Sequence, residues 1–370
     1  MIPYLLLLLI PAVFPLFAYR PKVMMSLAGY NELVEKRNQM TLIMFFAGFF
    51  ALLALRDFSV GADLVTYRQI FENCQMTSFG NLSEMQWELG YTIYNKLVSM
   101  ISENFRVFLI VTALIVLLPI YFLYSKERRY ALLSILLFIN MPCFLMIFSG
   151  LRQAIAISIG VLIYLMLENK KYVLSALLFA VAVFFHSSAI VLALTYVAFF
   201  VKIKTKHLYY ILPVALGIYI WRVPLFYFIL DFLPSRYVEF YSDLQQTGAI
   251  GMLILFLIFC AFSFVILDED AMSKRDYFLR NMLLISTLFQ FFVPIHGWVQ
   301  RASYYFLIFV PIAIVSVVQA PKRYLKNISD LAVVVMGCFF ALYFFYNAAY
   351  STDNLLDVFP YQFFWGGEGW

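Results

Sequence analysis

Apolar residues run in blocks along this chain, and the blocks are long. Segments near 2–19, 40–55, 105–124, 130–148, 153–167, 208–221, 249–267, 279–295, 302–320 and 328–347 hold few charges and lack the alternation of a strand. Runs such as "VFLIVTALIVLLPIYFLY" approach the roughly 20 residues that carry a helix across a bilayer. The missing period of two excludes a β-barrel in favour of helices. One block, 172–201, is too long for a single crossing and too short for two full ones, and "FFHSS" at 184–188 divides it. Read as a broken pair, it brings the total to twelve crossings. The expected fold is all-α: a polytopic integral membrane protein forming one domain over 1–370, with extracytoplasmic connections at 56–104 and 222–248.

Charge supplies the sidedness. With twelve crossings, the connections "RPK…EKR" (20–37), "KERR" (126–129), "KK" (170–171), "KIKTK" (202–206), "KRDYFLR" (274–280) and "KRYLK" (322–326) collect 18 Lys and Arg on one side. The other side keeps eight: Arg56, Arg68, Lys96, Arg106, Arg152, Arg222, Arg236 and Arg301. The positive-inside rule makes the richer side cytoplasmic, so both termini face outward. Counting 172–201 as one crossing would throw the last two basic loops outside, so the charges favour the break. The opening stretch has no basic region and no small-residue cleavage site, and reads as a retained first helix made irregular by Pro3, Pro11 and Pro15. The connection 56–104 carries aromatic and aliphatic residues at helical spacing and reads as interfacial helices.

Composition agrees: 64% of the 370 residues are hydrophobic and 13% charged, against about 25% charged in a soluble chain. Cys74, Cys143, Cys260 and Cys338 are far apart and suggest neither a disulfide framework nor a metal cluster. There is no Walker-type loop and no outside DxD pair, so neither metal, cofactor nor nucleic acid is expected. The "DED" at 268–270 reads as a solvated cytoplasmic loop.

Against this background the outer charges stand out. An arginine at the centre of a transmembrane helix costs roughly 2.5–3.5 kcal/mol on insertion scales, so Arg152 in "IFSGLRQAI" needs an interfacial position or a partner. Ser149 and Gly150 read as a cap and a turn, leaving helix-start N–H groups beside the guanidinium. An oxyanion such as a lipid-borne diphosphate would suit that spot. A carboxylate partner, Asp63 or Glu88, is the alternative. Arg56 and Arg301 fall at similar depth, though Arg301 also reads as an interface anchor, and Arg56 as a partner for Asp57. His186 suits proton removal from a sugar hydroxyl, phosphate holding, or structural pairing with Ser187 or Ser188. His296 in "PIHGWVQR" lies at similar depth. Asp63 with Tyr67, and Glu88 with Trp87 and Tyr91, combine a carboxylate with aromatic rings as sugar sites do, and Glu88 is the preferred base. Arg236 in "RYVEFYSDLQQTG" adds a less specific cation.

The strings "LRDFSVGADLVTYRQIF", "WELGYTIYNKL", "SGLRQAIAISIGVLIYLM", "AVFFHSSAIVLAL" and "RASYYF", in this order, resemble the EpsG-like family of bacterial polysaccharide-synthesis proteins, similar to Wzy-type O-antigen and capsule polymerases. "VFPYQFF" is a weaker echo of the family's end. The resemblance covers about residues 50–310 and marks Arg56, Gly61, Asp63, Tyr67, Glu88, Gly90, Tyr91, Arg152, Gln153, His186, Arg301 and Tyr304. Where relatives often carry Gly-Thr-Asp-Thr, this chain has "GADLVTY", losing the first threonine hydroxyl and leaving Asp63 as that turn's main polar group. The resemblance implies a bacterial cytoplasmic (inner) membrane protein that joins oligosaccharide repeat units carried on undecaprenyl diphosphate, as donor and acceptor, into O-antigen, capsule or exopolysaccharide. A chain-length regulator and a flippase are the partners it implies. The expected chemistry is metal-independent glycosyl transfer, with Arg56, Arg152 and Arg301 neutralising the departing diphosphate. A transporter or flippase of lipid-linked saccharides would use the same arginines. A membrane O-acyltransferase would use His186 and leave them idle.

Overall fold

The computed structural model describes residues 2–19, 26–126, 130–231, 250–319, 326–350 and 355–366. In chain order the helices begin with α1 (Ile2–Ala18), α2 (Leu27–Leu55), α3 (Leu64–Met76), α4 (Leu89–Ile101), α5 (Phe105–Tyr124) and α6 (Ala131–Ile139). There follow α7 (Pro142–Ser149), α8 (Leu151–Glu168), α9 (Tyr172–Phe185), α10 (Ala193–Phe200), α11 (Leu208–Ile220) and α12 (Arg222–Leu230). The last are α13 (Ile250–Val265), α14 (Lys274–Gln290), α15 (Gly297–Leu307), α16 (Val310–Gln319) and α17 (Lys326–Tyr350). Among the described residues the only strand-like pairing is one isolated bridge, Arg56 to Phe363. The chain divides into two compact units, 1–190 with 332–370, and 191–331.

Four helices among the described residues are long and apolar enough to cross a membrane: α2 from Ala28, α5, α8, and α17 from Asp330. Three bent pairs raise the number to seven: α6 with α7 at 65°, α11 with α12 at 75°, and α15 with α16 at 51°. The shorter apolar helices, α1, α9, Ser187–Phe200 and α13, fall below that length. The expected segments fall on helices, with 130–148 and 302–320 each divided between two, and length and composition alone credit four to seven spans among the described residues. Hydropathy also misjudges some ends. Helix α2 starts thirteen residues before the expected position 40, because Ser26 accepts from Gly29 N at 3.1 Å and the intervening Glu, Leu, Lys, Arg and Gln favour helix though not lipid. The segment 130–148 breaks at Asn140 and Met141, ahead of Pro142, which opens α7.

In the first unit α2 packs on α1, α5 and α6, α5 on α8, and α8 on α9. Two interior prolines leave carbonyls that neighbouring helices satisfy. Pro15 cannot donate to Pro11 O, and the Thr41 hydroxyl of α2 lies 3.1 Å from that oxygen. Pro119 likewise frees Ile115 O, which accepts from Ser158 Oγ of α8 at 2.7 Å. Away from water, such cross-helix donors are what make a proline tolerable inside a spanning helix. In the second unit α14 is central, packed against α10, α13, α15 and α16. Outward-facing apolar side chains, such as Leu5 and Leu9 of α1 and Leu212 and Leu216 of α11, are exposed in the way a lipid-facing surface requires.

The expected solvated "DED" loop is a structured anchor instead. Glu269 pairs with Arg280 at 3.0 Å and accepts from Thr205 N and Oγ1 at 2.7 and 2.9 Å. Arg280 is only 2% exposed and also donates to Ile203 O. A guanidinium buried on α14 has to find these acceptors, so the neighbouring acid is drawn in.

Candidate functional site

Three residues far apart in sequence meet in the first unit. Glu88 is the N-cap residue of α4, Arg152 stands in the first turn of α8, and His186 is the C-cap residue of α9. Their meeting depends on Gly90. A Cβ there would lie 2.6 Å from the Phe184 ring and 2.7 Å from Phe184 O, so only glycine lets the start of α4 approach the end of α9 this closely. The extended conformation of His186 (φ −157°, ψ 115°) then turns its ring out of α9 toward the Glu88 carboxylate.

Glu88 serves two partners with separate oxygens. Arg152 Nη1 donates to Oε2, and His186 Nδ1 lies 2.9 Å from Oε1. Ser187 N donates to the same Oε1 at 3.4 Å. The side chains of Glu88 and Arg152 are 20% exposed and that of His186 21%, so the trio is reachable yet largely desolvated. Trp87 covers the guanidinium, its ring centroid 4.5 Å from Arg152 Cζ. Burial pushes the Glu88 carboxyl up, but the His186 hydrogen bond and the Arg152 and His186 charges outweigh it and bring the pKa from 4.5 down to about 2. An ionised carboxylate only accepts hydrogen bonds, so the imidazole must carry a proton on Nδ1. In the neutral ring Nε2 then offers its lone pair. Behind the trio, Tyr67 is buried and hydrogen-bonds with Arg152; burial raises its pKa and the guanidinium opposes that rise.

A second set of contacts holds the loop beneath. Gly61 (φ +117°) passes so close to α7 that a Cβ would sit 2.6 Å from Phe148 O. Ser149 does not cap α8 as expected. Its hydroxyl donates to Leu356 O at 2.9 Å and accepts from Ala62 N at 3.1 Å, clamping the Gly61 turn to the C-terminal segment. That segment also accepts from Gly61 N and Ala62 N through Asp357 O and Leu356 O, both at 2.9 Å. Leu356 and Asp357 hold φ of 60° and 53°, left-handed conformations that side-chain-bearing residues adopt only when their surroundings impose them.

The other expected residues are distributed as follows. Arg56 is 1% exposed and donates to Phe148 O, so it braces α2 against α7 instead of facing an anion; it does not pair with Asp57, which accepts from Ser59 N at 3.0 Å. Tyr67 and Tyr91 are buried and meet edge to face at 5.8 Å, so neither presents a ring to a sugar. Gln153 is buried in α8. Asp63 is exposed at the start of α3 without capping it. Glu88, the expected base, has both oxygens engaged and a depressed pKa. In the second unit Arg301 is exposed and Tyr304 buried on α15. His296 is the N-cap of that helix, its Nδ1 accepting from Trp298 N at 3.0 Å with the ring stacked on Phe226. Arg236 lies outside the described residues. Arg106 was missed: it donates to Ala54 O and Arg56 O at 3.0 and 2.6 Å, capping the C-terminal carbonyls of α2. The order "LRDF…NFRVF" gives no local signal for that pairing. Among the described residues no group of three or more His, Cys, Asp and Glu side chains could hold a metal ion.

No curated protein and no solved structure matches the chain at a significant level. The model of the EpsG family matches residues 40–363, which takes in Glu88, Arg152, His186 and the C-terminal clamp alike. The chain therefore belongs to the EpsG family, and with it to the membrane proteins of polysaccharide biosynthesis.

Proposed function

We propose that the protein is a Wzy-type polymerase, transferring a growing saccharide from its undecaprenyl diphosphate to a hydroxyl of a second lipid-linked repeat unit at the outer face of the cytoplasmic membrane. The observation that carries this reading is one carboxylate shared between a histidine and an arginine in a partly open, desolvated site. His186 Nε2 takes the proton of the acceptor hydroxyl. The hydroxyl oxygen forms its bond to C1 of the donor sugar, while the C1–O bond to the diphosphate breaks and its electron pair leaves on the phosphate. Arg152 neutralises that charge, and a fixed guanidinium beneath Trp87 does so more effectively than water would. Glu88 orients the imidazole and fixes its tautomer. Asp63, exposed at the start of α3, is available to acceptor hydroxyls.

The threading behind this reading is the twelve-crossing one, with both termini outside and the connection 56–104 on the outer face. Exposed Val65, Leu97, Met100 and Ile101 on α3 and α4 favour an interfacial seat for that connection. The chain-length regulator and flippase remain partners implied by family alone.

The test is purified protein in lipid with an oligosaccharide on undecaprenyl diphosphate. Longer lipid-linked products without added nucleotide, abolished in folded Arg152→Ala and His186→Ala proteins, support a polymerase. Movement of substrate across vesicles without elongation supports the transporter reading and overturns this one.

A further inference from the structure

We propose that Glu88 is an exchangeable counter-ion: an oxyanion that binds Arg152 releases the carboxylate to His186 alone and makes that imidazole a stronger base. The inference rests on the reading of Arg152 as the phosphate ligand and adds a coupling between donor binding and acceptor activation.

The geometry allows the exchange. Glu88 Oε2 engages Arg152 while Oε1 engages His186, so one contact can be lost with the other kept. Arg152 is partly exposed, and its Nε–H is buried with no acceptor, so the guanidinium is incompletely satisfied by the carboxylate. A phosphate bearing two charges competes favourably with a single carboxylate for a guanidinium at equal distance. The exchange changes what His186 experiences. With the pair intact, much of the carboxylate's field is cancelled by the adjacent cation. With Arg152 turned to phosphate, the imidazole faces an unneutralised carboxylate, and an opposite charge in hydrogen-bond contact stabilises the ring as it accepts a proton.

The charged and titratable groups of the first unit around His186 are few. From the start of α4 there is Glu88, from α8 Arg152, and behind Arg152 the Tyr67 hydroxyl of α3, with Asp63 one turn earlier. Helix α4 adds two buried phenols: Tyr91, which packs against Tyr67, and Tyr94, whose ring centroid lies 6.0 Å from that of Phe185 and whose hydroxyl is hydrogen-bonded with Thr112 Oγ1 at 2.7 Å. Helix α9 itself contributes nothing charged between Tyr172 and Phe185. Glu88 is thus the one carboxylate in contact with the ring among the described residues, and its allegiance sets the ring's basicity. A consequence is that the carboxylate is freed to serve the ring only once the donor has bound, so acceptor activation follows donor binding.

The experiment uses full-length protein in lipid nanodiscs with isotope-labelled histidine, the His186 resonance assigned by its loss in His186→Gln. Its titration midpoint is followed with and without inorganic pyrophosphate, whose binding is read separately by calorimetry. The expected result is a rise of about one pH unit in the wild type and no rise in Glu88→Gln, which still binds pyrophosphate. Arg152→Gln should bind none. Binding without a shift, or equal shifts in the wild type and Glu88→Gln, overturns the exchange while leaving the anion site standing. Absence of pyrophosphate binding to the wild type overturns both. A parallel arm with farnesyl diphosphate distinguishes the sources of the group: tighter binding than pyrophosphate assigns it to a lipid carrier, equal binding to a free diphosphate, and the exchange holds with either.

Discussion

Glu88 and Arg56 show how differently two charged residues of the first unit can be used. Glu88 is held ionised by its partners, and its contribution to stability follows from that. A carboxyl lowered from 4.5 to about 2 stabilises the fold fully above 4.5 and loses that contribution as pH falls toward 2. Thermal unfolding measured from pH 6 to pH 3 should therefore show a steeper acid loss in the wild type than in Glu88→Gln. Turnover in that variant should fall on the order of a hundredfold, because the imidazole loses the acceptor that fixes its tautomer. Arg56 is spent on Phe148 O in the interior. Arg56→Ala is expected to lower the melting temperature strongly, leaving a buried carbonyl unmatched and a cavity. Arg152→Ala is expected to lose activity with a much smaller change in melting temperature. Equal melting losses in the two variants would show that Arg152, too, is mainly structural.

Helices supply the geometry these residues need, and here the sequence was legible in part. Long apolar blocks announced the helices because lipid demands internally bonded backbone. "FFHSS" announced the break at His186, because a polar cluster interrupts an apolar run visibly. The Glu88 partner of Arg152 stood among the alternatives the motif strings allowed. The burial of Tyr67, Tyr91 and Arg56 was not legible, since tyrosine and arginine serve both interface and interior with the same local pattern. Nor was the Ser149–Leu356 clamp, whose members lie some 200 positions apart with no period linking them. The most sensitive joint is a glycine: Gly90→Ala places a methyl group against Phe184 O and should push α4 off α9. Overpacking of this kind costs about 1–3 kcal/mol. The predicted signature is a larger loss of turnover than of stability, read from product length and unfolding on the same preparation, because the displaced carboxylate no longer reaches both partners.

At the scale of the whole chain, the side of the membrane on which the trio works depends on the parity of crossings before and after His186. The basic loops at 170–171 and 202–206 flank the broken stretch of α9, the turn after it and α10. If this stretch enters and returns, both loops face the cytoplasm and His186 sits at the outer turn beside Glu88 and Arg152. If it crosses once, the two loops lie on opposite sides, and every later loop changes side with the second. The later basic loop is anchored, not free: Glu269 and Arg280 tie residues 203–205 to the 263–269 segment, so 202–206 and 268–274 must share one side. That linkage makes the test economical. Reporter fusions after residues 37, 170 and 206 should all register cytoplasm, and one after Gly80, in the connection carrying Glu88, the outside. Agreement of 170 and 206 upholds the return. If fusions at 170 and 206 report opposite sides, the twelve-crossing threading fails, and the basic loop after α13 moves outside together with 206 because the Arg280 anchor allows no independent choice.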